Sequence, residues 1–128
     1  MPGFSFDHIH LRSPEPEATA RFYVDCLGAT ETTRVQTPSG LRVVLDLAGI
    51  ALFVEQVPPT TAAPPEPPFL GFEHIGLTVP DMDAAVTGLK AKGVRFVMEP
   101  REARPGVRIA FLEAPQGARV ELIERRAA

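Results

Sequence analysis

A chain of 128 residues with 45% hydrophobic content and a formal charge of −3 has the size of one soluble globular domain, or of two very small units sharing a core. That mild acidity excludes the basic surface nucleic acid or an anionic membrane requires, and no apolar run approaches the roughly 20 residues that span a bilayer. The single cysteine, Cys26, excludes an intrachain disulfide, and with an N-terminus that lacks a basic start and an apolar segment it predicts a cytoplasmic protein without a signal peptide.

Residues 6–12 alternate apolar and polar side chains, the period-2 pattern of a half-buried strand. A helix follows: Ser13 is placed to cap it, Pro14 suits its first position, and Thr19, Phe22, Tyr23, Cys26 and Leu27 form a stripe that ends at Gly28. Tyr23 and Cys26 belong to the core on this spacing. Three strand-like runs come next, around residues 30–36, 41–47 and 50–55. Residues 57–68 then hold six of the fourteen prolines and no periodic apolar pattern, which reads as a semi-rigid extended linker. The order repeats beyond it. Residues 72–79 form a strand, Asp81 caps a helix with Met82, Ala85, Val86 and Leu89 as its stripe, and Gly93 ends it. Strands are expected around 94–99, 107–113 and 118–125, with a turn at Ala114-Pro115-Gln116-Gly117. Glu99, Arg101, Glu102 and Arg104 read as a solvated loop.

The two halves match in register. Phe6-Asp7-His8-Ile9-His10-Leu11 is echoed 66 residues later, from His8 to His74, by Phe72-Glu73-His74-Ile75-Gly76-Leu77. The same spacing carries Pro14 onto Pro80 and Gly40-Leu41-Arg42-Val43 onto Gly106-Val107-Arg108-Ile109. Such a pattern points to an internal duplication. The expected fold is therefore α+β, with two tandem βαβββ modules, residues 1–57 and 69–128, joined by the linker 58–68.

Strand alternation sorts the polar residues. Ile9 and Leu11 face the first helix, leaving Phe6, His8, His10 and Arg12 on the opposite face. Ile75, Leu77 and Val79 leave Phe72, His74, Gly76 and Thr78 opposite the second helix. On the last strand Val120 and Leu122 face the helix, and Glu121 shares its face with Ile123. A carboxylate in mid-strand under cover is costly unless paired or bound to metal. His8, His74 and Glu121 form a two-histidine, one-carboxylate set suited to one divalent ion of Fe, Mn, Zn, Ni or Co, with coordination positions left open. His10 is placed for acid/base catalysis beside the metal, for support of a ligand, or for plain lining. Taken singly, a strand histidine is more often a hydrogen-bonded structural group than a ligand, Glu124 reads as exposed, and Arg42 and Arg108 read as equivalent strand arginines that either anchor an anionic substrate or face solvent. Phe6, Phe72, Leu52, Val54 and Ile123 are expected to add apolar lining.

These motifs, with Phe22-Tyr23-Val24-Asp25-Cys26-Leu27-Gly28 and Val120-Glu121-Leu122-Ile123-Glu124, resemble the vicinal oxygen chelate superfamily of glyoxalase I, extradiol dioxygenases, fosfomycin-resistance and bleomycin-resistance proteins, over nearly the whole chain. The resemblance implies that the two modules pair their sheets into a metal-binding cleft and that metal is held by the first and last strands of each module, and His8, His74 and Glu121 match three of those positions. Aligning Leu52-Phe53-Val54-Glu55 with Glu121-Leu122-Ile123-Glu124 puts Leu52 at the fourth, where a carboxylate would stand in glyoxalase I. The implied function is a metal-dependent lyase, isomerase or ring-cleaving dioxygenase acting on a small substrate chelated through oxygens, with His10 and Glu121 in the chemistry. The alternative is a metal-free protein that sequesters a small molecule. A homodimer is expected, because such modules pair within or between chains and the linker reaches either way.

Overall fold

A computed structural model describes residues 3–126. The chain divides into two compact units, residues 1–62 and 63–128. The first contains β1 (Ile9–Ser13), α1 (Pro16–Leu27), β2 (Thr30–Thr37), β3 (Gly40–Leu47) and β4 (Ile50–Gln56). The second contains β5 (Ile75–Thr78), α2 (Met82–Ala91), β6 (Phe96–Arg104), β7 (Val107–Glu113) and β8 (Arg119–Arg125). Each unit is thus βαβββ, and the fold is α+β as the alternation of strand and helix periods predicts.

Each sheet has four strands in corresponding order, β1-β4-β3-β2 and β5-β8-β7-β6. The first and last strands of each unit lie side by side and parallel, Ile9 opposite Leu52 and Ile75 opposite Val120. This pairing brings side chains distant in sequence onto one face. The other neighbours are antiparallel.

The helix of each unit covers one face of its own sheet. Under α1 lie Val43, Leu45, Leu47, Leu52 and Val54, met by Ala20 and Tyr23; under α2 lie Ala110, Leu112, Val120 and Leu122, met by Met82, Val86 and Leu89. The buried stripe of α1 is Pro16, Thr19, Ala20 and Tyr23, whereas Phe22, Cys26 and Leu27 are half-buried. Tyr23 is core as expected; Cys26 lies at the core's margin.

Local chemistry explains the ends. Pro16, rather than Pro14, opens α1, because the strand continues to Ser13 and its hydroxyl accepts hydrogen bonds from the Glu15 N–H and the Thr19 hydroxyl. Gly28 closes α1 in the left-handed conformation. Asp81 caps α2 by accepting from the Ala84 N–H at 3.1 Å. The expected loop at 99–104 is instead the second half of β6, paired to β7 through several register shifts. Its alternating charges mark an exposed edge strand rather than a break in pairing. In the turn before β8, Gln116 and Gly117 both take positive φ. Among the described residues, no helix is long and apolar enough to cross a membrane.

Burial pushes the Tyr23 phenol up from 10.0 to about 12. The unfolded chain ionises this group from about pH 10 while the folded chain keeps it neutral, so its contribution is complete below pH 10 and is lost as pH rises towards 12. Urea unfolding at pH 8 and pH 11 is expected to show a loss in the parent chain that is about 1 kcal/mol smaller in Tyr23→Phe. An identical loss in both would show that Tyr23 does not carry the alkaline instability.

Candidate functional site

β1 and β5 each begin three residues later than expected, so His10 lies on β1 while His8 and His74 stand just before their strands, each beside a residue on the sheet face turned away from its helix. In the second unit His74 and Glu121 are brought together: Nε2 of the imidazole lies 3.1 Å from Oε1 of the carboxylate. The pairing of Gly76 with Glu121 puts the carboxylate one strand over from the histidine on the same face. The Nδ1 atom of His74 bonds to Glu73, which also accepts from Arg119, and the Arg119 guanidinium lies 4.5 Å from the Phe111 ring. Phe111 meets His74 edge-on, ring centroids 4.8 Å apart. The imidazole is thus held on two sides with Nε2 directed at Glu121. With Nδ1 bonded to Glu73, Nε2 is the ring nitrogen left available to a metal. Glu73 is held below the usual carboxylate range, first by its bond to His74 and then by Arg119.

The first unit repeats part of this plan. Asp7, at the position equivalent to Glu73, bonds to Nδ1 of His8. Phe53 replaces the facing carboxylate: its ring is stacked on His8 with centroids 3.9 Å apart and planes 5° from parallel. His10 is half-buried, its ring 5.7 Å from that of His8. Its Nε2 lies 3.0 Å from Oε1 of Glu55, within ion-pair distance but not aligned as a hydrogen bond. Arg42 donates to the same oxygen from Nε at 3.1 Å and Nη2 at 2.7 Å. Those two bonds hold the Glu55 carboxyl below its ordinary range, with His10 adding to the effect.

Three expectations need correction. Leu52 and Val54 do not line the polar face; both are buried beneath α1, and Phe53 and Glu55 take their place. The run Ile50-Ala51-Leu52-Phe53-Val54 is apolar throughout, so its periodicity does not reveal which face is which. Because Leu52 stands opposite Ile9 and Val120 opposite Ile75, the position matching Glu121 is Phe53 rather than Leu52. Glu124 is not exposed. It lies on the helix face with Val120 and Leu122, where its carboxylate accepts from the Met82 N–H at 2.7 Å and from Arg126 at 2.9 Å. Lastly, Arg42 and Arg108 are not equivalent. Arg42 points to the histidine face, whereas Arg108 reaches Asp83 on α2. The buried Val43 corresponds to Ala110, one residue off the spacing of the sequence motif.

Asp7 and Glu73, which orient the histidines, have a sequence signal: an acidic residue precedes the histidine in both motifs. Phe53 and Glu55 have none.

Two imidazoles and a carboxylate have the donor chemistry of a divalent first-row metal. His74 with Glu121 supplies two such donors in the second unit, and His8 supplies one in the first. Among the described residues, no group of three or more His, Cys, Asp or Glu side chains is gathered to hold an ion. A groove of about 460 Å³ in the second unit, bordered by Pro64, Glu66, Val97, Glu113 and Arg119, is lined by neither His74 nor Glu121.

Residues 5–122 match the family described as the Glyoxalase/Bleomycin resistance protein/Dioxygenase superfamily. The chain is 30% identical over 122 residues to a "Probable lactoylglutathione lyase, chloroplastic" of Arabidopsis thaliana, with 92% of this chain and 35% of that protein covered. It thus spans about a third of that relative's length. It is 29% identical to a "Probable lactoylglutathione lyase" of Synechocystis, covering 91% of this chain and 92% of that one. A glyoxalase family protein from Enterococcus faecalis superposes with a TM-score of 0.81 at 24% identity, over 97% of this chain and all of that one, a likeness of fold.

Proposed function

The chain belongs to the Glyoxalase/Bleomycin resistance protein/Dioxygenase superfamily, and on that premise we propose that it is a divalent-metal-dependent enzyme acting on a small substrate chelated through oxygens. The supporting observation is the His74–Glu121 pair, 3.1 Å apart, with the other imidazole nitrogen tied to Glu73. His8, whose Nδ1 is likewise tied to Asp7, completes the proposed ligand set of His8, His74 and Glu121. When bound, an ion of Fe, Mn, Zn, Ni or Co would polarise the chelated oxygens for proton transfer, isomerisation or ring opening.

Within this reading Glu121 is a metal ligand and a candidate proton acceptor. His10 is the acid/base group, with Glu55, held in its charged form by Arg42, 3.0 Å from its Nε2. The names of the Arabidopsis and Synechocystis relatives favour a lyase of the lactoylglutathione class, whereas Phe53 where glyoxalase I would carry a carboxylate favours ring-cleaving or other chemistry with three protein donors. Chelator-stripped protein, reloaded with each metal in turn, should be assayed for lactoylglutathione lyase activity and for catechol cleavage with O₂. Turnover restored by one metal supports the reading; no turnover of any oxygen-chelating substrate with any metal contradicts it. The stacked Phe53–His8 pair favours a second reading, a metal-free protein that holds a planar small molecule against that surface.

The proposed setting is a cytoplasmic homodimer with no nucleic-acid or membrane partner. In support, Phe4 and Phe6 in the first unit and Leu70 and Phe72 in the second are strongly exposed at matching places, the kind of apolar surface that subunit contact removes from water. Light scattering at micromolar concentration is expected to give twice the chain mass; a monomer's mass would contradict the dimer.

A further inference from the structure

We infer that Arg119 is the positioning residue for His74: it holds Glu73 and Phe111, the two side chains that fix the imidazole, and so sets the direction of Nε2. The inference lies wholly within the second unit. It rests on the reading of His74 as a functional histidine and on no particular set of further donors. His74 stands just before β5 with its side chain partly exposed, so burial does not fix its rotamer.

Arg119 on β8 donates from Nη1 to Oε2 of Glu73, and Oε1 of Glu73 bonds to Nδ1 of His74. The same guanidinium lies 4.5 Å from the centroid of the Phe111 ring on β7. That ring meets the imidazole edge-on, with centroids 4.8 Å apart and planes at 84°. The four side chains thus close a circuit, with Arg119 meeting both supports of His74. A carboxylate accepts and does not donate, so the bond keeps the proton on Nδ1 and leaves Nε2 directed at Glu121, 3.1 Å away. Released from Arg119, the Glu73 carboxylate regains rotamers that do not meet His74. Lysine is a poor substitute, because a planar guanidinium pairs with a carboxylate while lying against an aromatic face.

The first unit supplies the contrast. Phe53 stands opposite Val44 as Glu121 stands opposite Phe111, so Val44 holds the place of Phe111. Two residues earlier on the same strands, Ala51 holds the place of Arg119. Neither side chain can pair with a carboxylate or offer a ring. Asp7, the counterpart of Glu73, is 86% exposed against 22% for Glu73. The acidic residue before the histidine recurs in both units; the arginine that anchors it does not.

The test follows the Nδ1–H proton of His74 by NMR in ¹⁵N-labelled, metal-free, full-length protein at a single pH. The signal is assigned by its loss in His74→Gln, and its exchange with water is read beside that of the backbone amides of β5 and β8. Arg119→Leu is expected to exchange this proton about tenfold faster than the parent, with the amides unchanged. The same variant should lose the NOE between the imidazole and the Phe111 ring. Arg119→Lys keeps a charge beside Glu73 but not the ring contact, and should fall between the two at about threefold. Parental exchange in Arg119→Leu, or an equal speeding of the amides, would overturn the positioning role, as would a parent chain with no detectable Nδ1–H. If Arg119→Leu does not fold, Arg119→Lys decides: parental exchange with a parental NOE would overturn the role. A parent chain that takes up no Co(II) in equilibrium dialysis would overturn the metal-binding reading instead, and the exchange rates would still decide the role of Arg119.

Discussion

Glu121→Ala is expected to lower divalent-metal affinity by about a hundredfold or more while changing unfolding free energy by only about 0.5 kcal/mol. Glu121 sits mid-strand on β8, half-buried, on the face away from α2, and it reaches Nε2 of His74 at 3.1 Å. Loss of a directly coordinating carboxylate should exceed the roughly 10- to 100-fold cost of losing a supporting group. Its removal strands no buried group, because the His74 side chain is partly exposed and its Nε2 can turn to water. Metal affinity by competition with a chromophoric chelator, and stability by urea unfolding, separate the two effects. Parental affinity in this variant would remove Glu121 from the ligand set.

Three residues further on, the expected effect reverses. Glu124→Ala should cost about 2 kcal/mol of stability and leave the affinity of the folded protein for metal near that of the parent. Glu124 is 4% exposed and accepts from the Met82 N–H at the first turn of α2. Removing it leaves that donor without its carboxylate and strips a negative charge from the positive end of the helix. Arg126 would lose its partner too, a smaller effect because its side chain is largely exposed. The prediction is checked by urea unfolding beside the same metal competition. A stable variant with impaired metal binding would mean that the faces of β8 have been assigned the wrong way round.

That contrast shows how far the sequence can be read. Alternation over residues 6–12 and 72–79, and of Val120 and Leu122 with Glu121 on β8, is sufficient to put His8, His74 and Glu121 opposite the helix-facing residues. The same alternation puts Glu124 with Val120 and Leu122. Reading it as exposed followed the general cost of burying a carboxylate; the compensating partner, a helix N-terminus 42 residues away in sequence, is invisible until the chain folds. Phe53 was hidden for a different reason. β4 is apolar on both faces at its centre, so only its register against β1 separates Phe53 and Glu55 from Leu52 and Val54. Matching the acidic residues Glu55 and Glu124 by chemistry shifted that alignment by one position, and a shift of one exchanges the faces of a strand. The arginines failed similarly, since the motif Gly-Leu-Arg-Val recurs as Gly-Val-Arg-Ile one residue out of structural step.

The central claim, that this chain is a metalloprotein whose ion depends on His74, is tested most directly by elemental analysis of protein purified without chelators, alongside His74→Ala. Near one divalent metal per chain is expected in the parent and a residual trace in the variant, with both proteins folded. No metal in the parent after reconstitution, or equal metal in both proteins, would contradict it.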